Sequence, residues 1–323
     1  MARIIIILVT HTTSENGLPM TTTASTYQTD YLPLPHRPFG KTGQRVPLLG
    51  LGTAPGGTGL KDKEAIRLFN RAIDLGVTYV DTAPMYGRAQ RQLSEIVPER
   101  REEMFLVSKA LTEDGAEAQR ILEDNLRELK TDYLDLMFVH SVGSHDVGKV
   151  LSPTGSLAAL RSAKQQGLVR HIGVTAHNNP WKVLRVLEES DIDVLMIALN
   201  FADHFTYGFD GEVLSLARQK DVAVAAMKVY GGATGMKYEQ PIASAMQTDG
   251  FTDYERALRY ALGLPGVGTA VVGVFSEEEL EQNIEWVRRY QPLTVEEEES
   301  LRSQGQQIAR QWGPHFGPVD ASE

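Results

Sequence analysis

An aspartate, a tyrosine, a lysine and a histidine stand at positions 81, 86, 109 and 140, in "DTAPMYG", "LVSKA" and "LMFVHS". Each closes, or lies just beyond, a short apolar run. A carboxylate at the end of a buried run is costly unless something neutralises it. Lys109 is a suitable partner for Asp81. An ammonium beside a phenol favours the ionised form, so Lys109 would lower the pKa of Tyr86 from its ordinary value of about 10. A tyrosine tuned in this way gives a proton to a carbonyl oxygen and takes it back from an alcohol. A neutral His140 donating to the same oxygen would orient it and stabilise developing negative charge. Taken singly, the residues have plainer readings: Asp81 as a helix N-cap, His140 as a hydrogen-bonded core residue, Tyr86 as packing. Their joint role depends on a fold that brings them together.

The sequence predicts such a fold. Eight short apolar runs, over 46–52, 77–83, 104–110, 133–140, 169–175, 194–200, 222–229 and 268–273, read as strands. Between them lie amphipathic stretches such as "KDKEAIRLFNRAIDLG" and "GAEAQRILEDNLRELK", with apolar residues recurring three and four apart. Gly76 and Gly167 fall where helices should stop. Alternating strands and helices imply parallel strands with right-handed crossovers. Eight such units in about 250 residues fit an α/β fold of the (β/α)8 TIM-barrel type. A doubly wound sheet is the alternative, but "GLGTAPGG" lacks the G-x-G-x-x-G spacing of its first turn. "RPFGKTGQRVPLL" reads as a β-hairpin capping the barrel floor. Residues 1–36 read as an extension, and 37–323 as one barrel domain with a C-terminal tail. In such a barrel, chemistry gathers at the C-terminal ends of strands. Asp81, Lys109 and His140 end neighbouring strands, and Tyr86 lies in the loop after the first of them.

Composition narrows the partners. Of 323 residues 42% are apolar and 23% charged, as in ordinary globular chains. The net charge of −10 argues against a nucleic-acid or anionic-membrane partner. The absence of cysteine excludes thiolate chemistry, disulfides and zinc–sulfur sites. His171, His177 and His204 do not share the spacing of a helical metal site, and no metal is assigned. The apolar run in "MARIIIILVT" is shorter than the roughly 7–15 residues of a secretory core, so a cytoplasmic location is expected. The same segment also fits a chain whose translation starts at Met20. A homo-oligomer is compatible with the sequence.

With "RPFGKTG", "PLLGLGT", "DTAPMYG", "VSKA", "YLDLMFVH", "IGVTAHN" and "VVGVFSEEELEQN", the chain resembles the aldo-keto reductase family over about residues 37–290. The resemblance implies hydride transfer between a nicotinamide cofactor and a carbonyl or alcohol substrate (an aldehyde, ketone or sugar). It implies Tyr86 as general acid/base, Asp81 and Lys109 as its tuners, and His140 as the group that orients the carbonyl. It also implies cofactor contacts at Gly52, Thr53, Thr175, Asn200, Met227, Lys228, Gly273, Phe275, Glu279 and Asn283.

The chain departs from the family pattern in places. Thr175-Ala176 stands where the family has Ser-Asn, so His177 or Asn178 would compensate. Met227 stands where an aromatic ring often lies under the nicotinamide. Gly273 and Glu279 replace the basic residues that hold a 2′-phosphate, with Glu277 and Glu278 adjacent. This favours NAD(H) over NADP(H), although an acidic first helical turn also simply complements the helix dipole. Three segments should select substrate: 141–155, 231–250 and the tail from 306. His145, Asp146 and Trp312 in these segments, with Tyr230 just before the second, could line a polar pocket, and Trp312 and Phe316 could equally staple the tail to the barrel. Two non-reductase readings accompany this one. The first is a cofactor-sensing scaffold of the same family. The second is a Schiff-base lyase using Lys228.

Overall fold

The computed structural model describes residues 33–233 and 244–319. The expectations for the N-terminal run and for Met20, for 234–243 of the loop after the seventh barrel strand, and for the last four residues lie outside the described residues. Strands β1 (His36–Pro38) and β2 (Arg45–Pro47) form the expected antiparallel hairpin, with Arg37 opposite Val46. A single 3-10 turn, Gly40–Thr42, joins them. Gly40 has φ +49, and a Cβ there would lie 2.5 Å from the backbone nitrogen of Ala223, so the hairpin presses against the barrel wall. Phe39, fully buried, meets Tyr79 and Phe105 edge-on at 5.9 Å each. The hairpin thus plugs one end of the barrel with an aromatic cluster.

Eight parallel strands close the barrel: β3 (Leu49–Gly52), β4 (Tyr79–Asp81), β5 (Phe105–Ala110), β6 (Leu134–Val139), β7 (Val169–Ala176), β8 (Val194–Ala198), β9 (Ala223–Met227) and β10 (Val267–Gly273). They neighbour one another in chain order, and β10 returns to β3 with Ala270 opposite Leu49. This is the (β/α)8 barrel that the alternating pattern predicts, and the doubly wound alternative is set aside. Side chains alternate across the wall. Tyr79, Val107, Phe138, Met196, Ala225 and Val271 fill the interior, while Leu106, Met137, Val139 and Ile197 pack outward against helices.

Several strands are shorter than their apolar runs. The run 77–83 keeps only Tyr79–Asp81 as strand. Val77 is still bonded to Ala72 O of the preceding helix, and Tyr86 N donates to Ala83 O in the turn that follows. The run 222–229 ends at Met227, because Lys228 takes a left-handed φ of 58°. Apolarity records burial, and buried chain at the rim of a barrel need not belong to the ladder. Among the described residues no helix is long and apolar enough to cross a membrane.

Emptying the aromatic plug should leave a cavity that rigid strands cannot close. Phe39→Ala is expected to lower unfolding free energy by about 3 kcal/mol, read as a shifted urea midpoint at unchanged slope.

Candidate active site

β4, β5 and β6 deliver Asp81, Lys109 and His140 to one rim. Asp81 is the last residue of β4, Lys109 the fifth of β5, and His140 follows β6 directly, its N–H donating to Ala110 O at 2.8 Å. Register pairs Asp81 with Val107 and Lys109 with Phe138. Lys109 Nζ lies 2.6 Å from each Asp81 carboxylate oxygen and donates a third bond to Thr82 O at 3.0 Å. Both residues are at most 3% exposed. Burial pushes the Asp81 carboxyl up and the Lys109 ammonium down, and the attraction between them opposes both shifts. With its three bonds made to one carboxylate and one carbonyl, the ammonium is fixed in place.

Tyr86 lies over this pair. Lys109 Nζ is 4.7 Å from the centre of its ring, within cation–π range. The His140 ring meets the Tyr86 ring edge-on at 6.1 Å. Burial, and then the positive charge of Lys109, hold His140 well below the usual histidine range, so it is neutral at pH 7. The four residues singled out from sequence therefore converge. Asp81 and Tyr86 line a cavity of about 540 Å3; Lys109 touches both, and the His140 ring borders Tyr86.

The same cavity is lined by His177, Met196, Met227 and Lys228, by Gly52 and Gly273, which pair across β3 and β10, and by Glu279, Asn283 and Trp286 on the helix Glu277–Arg288. At these two glycine positions the wall is close-packed backbone without side chains. A Cβ on Gly52 would lie 3.3 Å from Gly273 N, and one on Gly273 would lie 2.6 Å from the Pro55 ring.

The sequence comparison matches residues 48–303 to the Aldo/keto reductase family. This chain belongs to that family. Among its relatives, an uncharacterized oxidoreductase of Bacillus subtilis, YqkF, is 26% identical, covering 84% of this chain and 96% of its own length. Pyridoxal 4-dehydrogenase of Microbacterium luteolum is 25% identical, covering 83% and 97%. The solved structure of the aldo-keto reductase AKR11C1 from Bacillus halodurans is 22% identical and superposes with a TM-score of 0.69, covering 85% and 96%.

In this aldo/keto reductase several expected contacts sit elsewhere. Thr53 is fully buried, and its hydroxyl donates to Asp81 O at 2.9 Å. Thr175 accepts from Ser141 N at 2.8 Å. Asn200 is spent on the turn after β8: its Oδ1 accepts from Ala202 and Asp203 N–H, and its Nδ2 donates to Asp203 and to Lys228 O. None of the three is in the cavity wall. Each secures the backbone of a loop that forms the rim. Gly52, Met227, Lys228, Gly273, Phe275, Glu279 and Asn283 do line the wall. Asn283 is internally bonded, accepting from Tyr230 OH at 2.5 Å and donating to Glu279 O at 2.7 Å.

Of the proposed compensators, Asn178 donates to Phe316 O of the tail, whereas His177 faces the cavity and its Nδ1 lies 3.4 Å from Ser141 Oγ. Burial, then the charges of Lys228 and Lys109, hold His177 well below its usual range. Tyr230 is in the wall; His145 and Trp312 are not. His145 Nε2 donates to His140 O at 2.9 Å, steadying the backbone of the rim. Trp312 packs on Gly231 and its indole N–H donates to Asp249, so it staples the C-terminal helix to the barrel.

Sequence reasoning passed over Gln282 and Trp286. They lie three and seven residues after Glu279 on one helix, a spacing that would have placed them on its cavity face.

A histidine held below its ordinary pKa binds fewer protons folded than unfolded. Its contribution is complete above the ordinary value of about 6.5 and is lost as pH falls below it. His140 and His177 act in this direction, as do His145 and His171, each lowered chiefly by burial. His204, raised by its bond to Asp210, opposes them. The protein should therefore lose stability between about pH 7.5 and 5.5. In a melting-temperature series His140→Asn and His177→Asn should flatten that slope.

Proposed function

We propose that this family member is a nicotinamide-dependent oxidoreductase that interconverts a small carbonyl compound and its alcohol, with Tyr86 as general acid/base. The observation that carries the reading is the stacking of three groups at one end of the cavity: the Lys109 ammonium, 4.7 Å from the Tyr86 ring, and the neutral His140 against its edge. The same cavity takes in Gly52, Gly273 and the face of the helix Glu277–Arg288, which we read as the side that holds the cofactor. When bound, a nicotinamide cofactor supplies or accepts the hydride.

The chain's own residues handle the proton and the charge. In reduction, Tyr86 gives its phenolic proton to the carbonyl oxygen as that oxygen gains negative charge. The Lys109 ammonium stabilises the tyrosinate left behind, and Asp81 holds that ammonium in place. His140, neutral and therefore able to donate from one ring nitrogen, orients the oxygen. In oxidation the same tyrosinate takes the alcohol proton. The dehydrogenase name of the Microbacterium relative supports the oxidative direction as one of the two.

We further propose a preference for NAD(H) over NADP(H). Glu278 and Glu279 stand in the cavity wall, where two carboxylates would repel a 2′-phosphate. The Glu279 carboxylate is held by Phe275 N–H at 2.7 Å, which keeps it at the wall.

Tyr86→Phe should cost about a hundredfold or more in kcat while leaving cofactor affinity as in the wild type. Wild-type turnover in this variant would end the acid/base reading. Titration with NADH and NADPH, followed by nicotinamide fluorescence, should show tighter binding of NADH. The reverse order would end the cofactor preference and leave the acid/base reading intact.

A further inference from the structure

Tyr86 is carried by a loop, yet its catalytic use demands a fixed distance to Lys109. We infer that Gln90, gripping Ser108 and Asn125 through the barrel wall, is the positioning residue that registers Tyr86 against Lys109. This rests on the acid/base reading of Tyr86 above.

Successive residues of a strand face opposite sides. On β5, Lys109 points into the barrel toward Asp81, so Ser108 points out toward the helices. The short helix Ala89–Leu93 starts three residues after Tyr86 and carries Gln90. Gln90 Nε2 donates to Ser108 Oγ at 3.0 Å and to Asn125 Oδ1 at 2.7 Å. Asn125, on the helix Gly115–Leu129, donates to the backbone carbonyl of Lys109 itself at 3.4 Å. One side chain, four residues beyond the tyrosine, therefore holds the strand both at the residue before the lysine and, through Asn125, at the lysine.

Three features separate this from ordinary packing. Gln90, Ser108 and Asn125 are 8%, 0% and 0% exposed. Buried polar groups are costly there and are stabilising only when satisfied, whereas an apolar contact would hold the helix without fixing its register. The stretch between Tyr86 and Gln90 is clamped as well. Arg88 N donates to Gly57 O at 3.0 Å, and a Cβ on Gly57 would lie 2.0 Å from Tyr86 O. Held at its own carbonyl, at Arg88 and at Gln90, Tyr86 keeps little freedom except in its own side-chain torsions. No step of the proton transfer passes through Gln90; it acts by placing Tyr86.

The test is Gln90→Met, which keeps the volume and removes both donors. We expect kcat to fall about tenfold to a hundredfold with cofactor affinity unchanged. The pH limb of kcat assigned to Tyr86 should move up by about one unit as the tyrosine draws away from the ammonium. Leu214→Ala, a core truncation in the helix Glu212–Gln219, serves as the control for mere destabilisation: it should lower the melting temperature and leave both readouts in place. Wild-type kcat and pH limb in Gln90→Met, with only a lower melting temperature, would overturn the inference. Should Gln90→Met fail to fold, Ser108→Ala decides by the same two readouts. Tyr86→Phe run in parallel separates the failures. If it turns over normally the acid/base reading falls. If it is inactive while Gln90→Met is normal, only the positioning role falls.

Discussion

Removing a carboxylate and an ammonium from water costs several kcal/mol per ion, and only close geometry with further hydrogen bonds recovers it. Asp81 and Lys109 meet that condition at the rim of the barrel, with two contacts of 2.6 Å and a third bond to Thr82 O. Much of the surrounding architecture can be read as a consequence. Thr53 holds the carbonyl of Asp81 with both its N–H and its hydroxyl. β4 stops at Asp81, so that the following turn can bring Tyr86 back over the lysine. Burial is also what chiefly holds the nearby His140 and His177 neutral, with the charges of Lys109 and Lys228 adding to it.

The barrel gives this pair a rigid frame. Its floor is closed by Phe39, Tyr79 and Phe105, so the interior is solid below the site. Its upper rim is loop, and the loops are tied by side chains that make no contact with the cavity. Thr175 holds Ser141, Asn200 holds the turn at 202–205, and His145 holds the His140 carbonyl. The division is physical. A group that must meet a ligand keeps its polar atoms available, while a group that must hold a loop spends them on backbone. Residue type alone does not separate the two, which is why Thr53, Thr175 and Asn200 fit a ligand role in sequence and a structural one in space.

The C-terminal tail is bound by the same kind of bond. Phe316 N donates to Tyr207 OH at 2.7 Å, Asn178 donates to Phe316 O, and His315 lies 2.8 Å from Asp203. The Phe316 ring packs 5.8 Å from His177. The loops after β7 and β8 are thereby joined to the chain end, with His177 between the tail and the cavity. Trp312 closes the other side of the same corner against Gly231.

The sequence by itself determined the barrel, its hairpin plug and the convergence of Asp81, Tyr86, Lys109 and His140. Strand–helix alternation is a one-dimensional pattern, and strand order in a barrel follows chain order, so residues at the ends of consecutive strands must become neighbours. The tertiary structure alone decided which polar side chains face the cavity. A threonine at a strand end can turn its hydroxyl to a ligand or to the next loop, and the choice depends on which backbone group stands 2.8 Å away. It also decided the contacts through the barrel wall. Gln90, Ser108 and Asn125 are scattered over three elements and match no local spacing, so their meeting behind Lys109 depends on how helices dock on the barrel, a packing outcome that no segment encodes on its own.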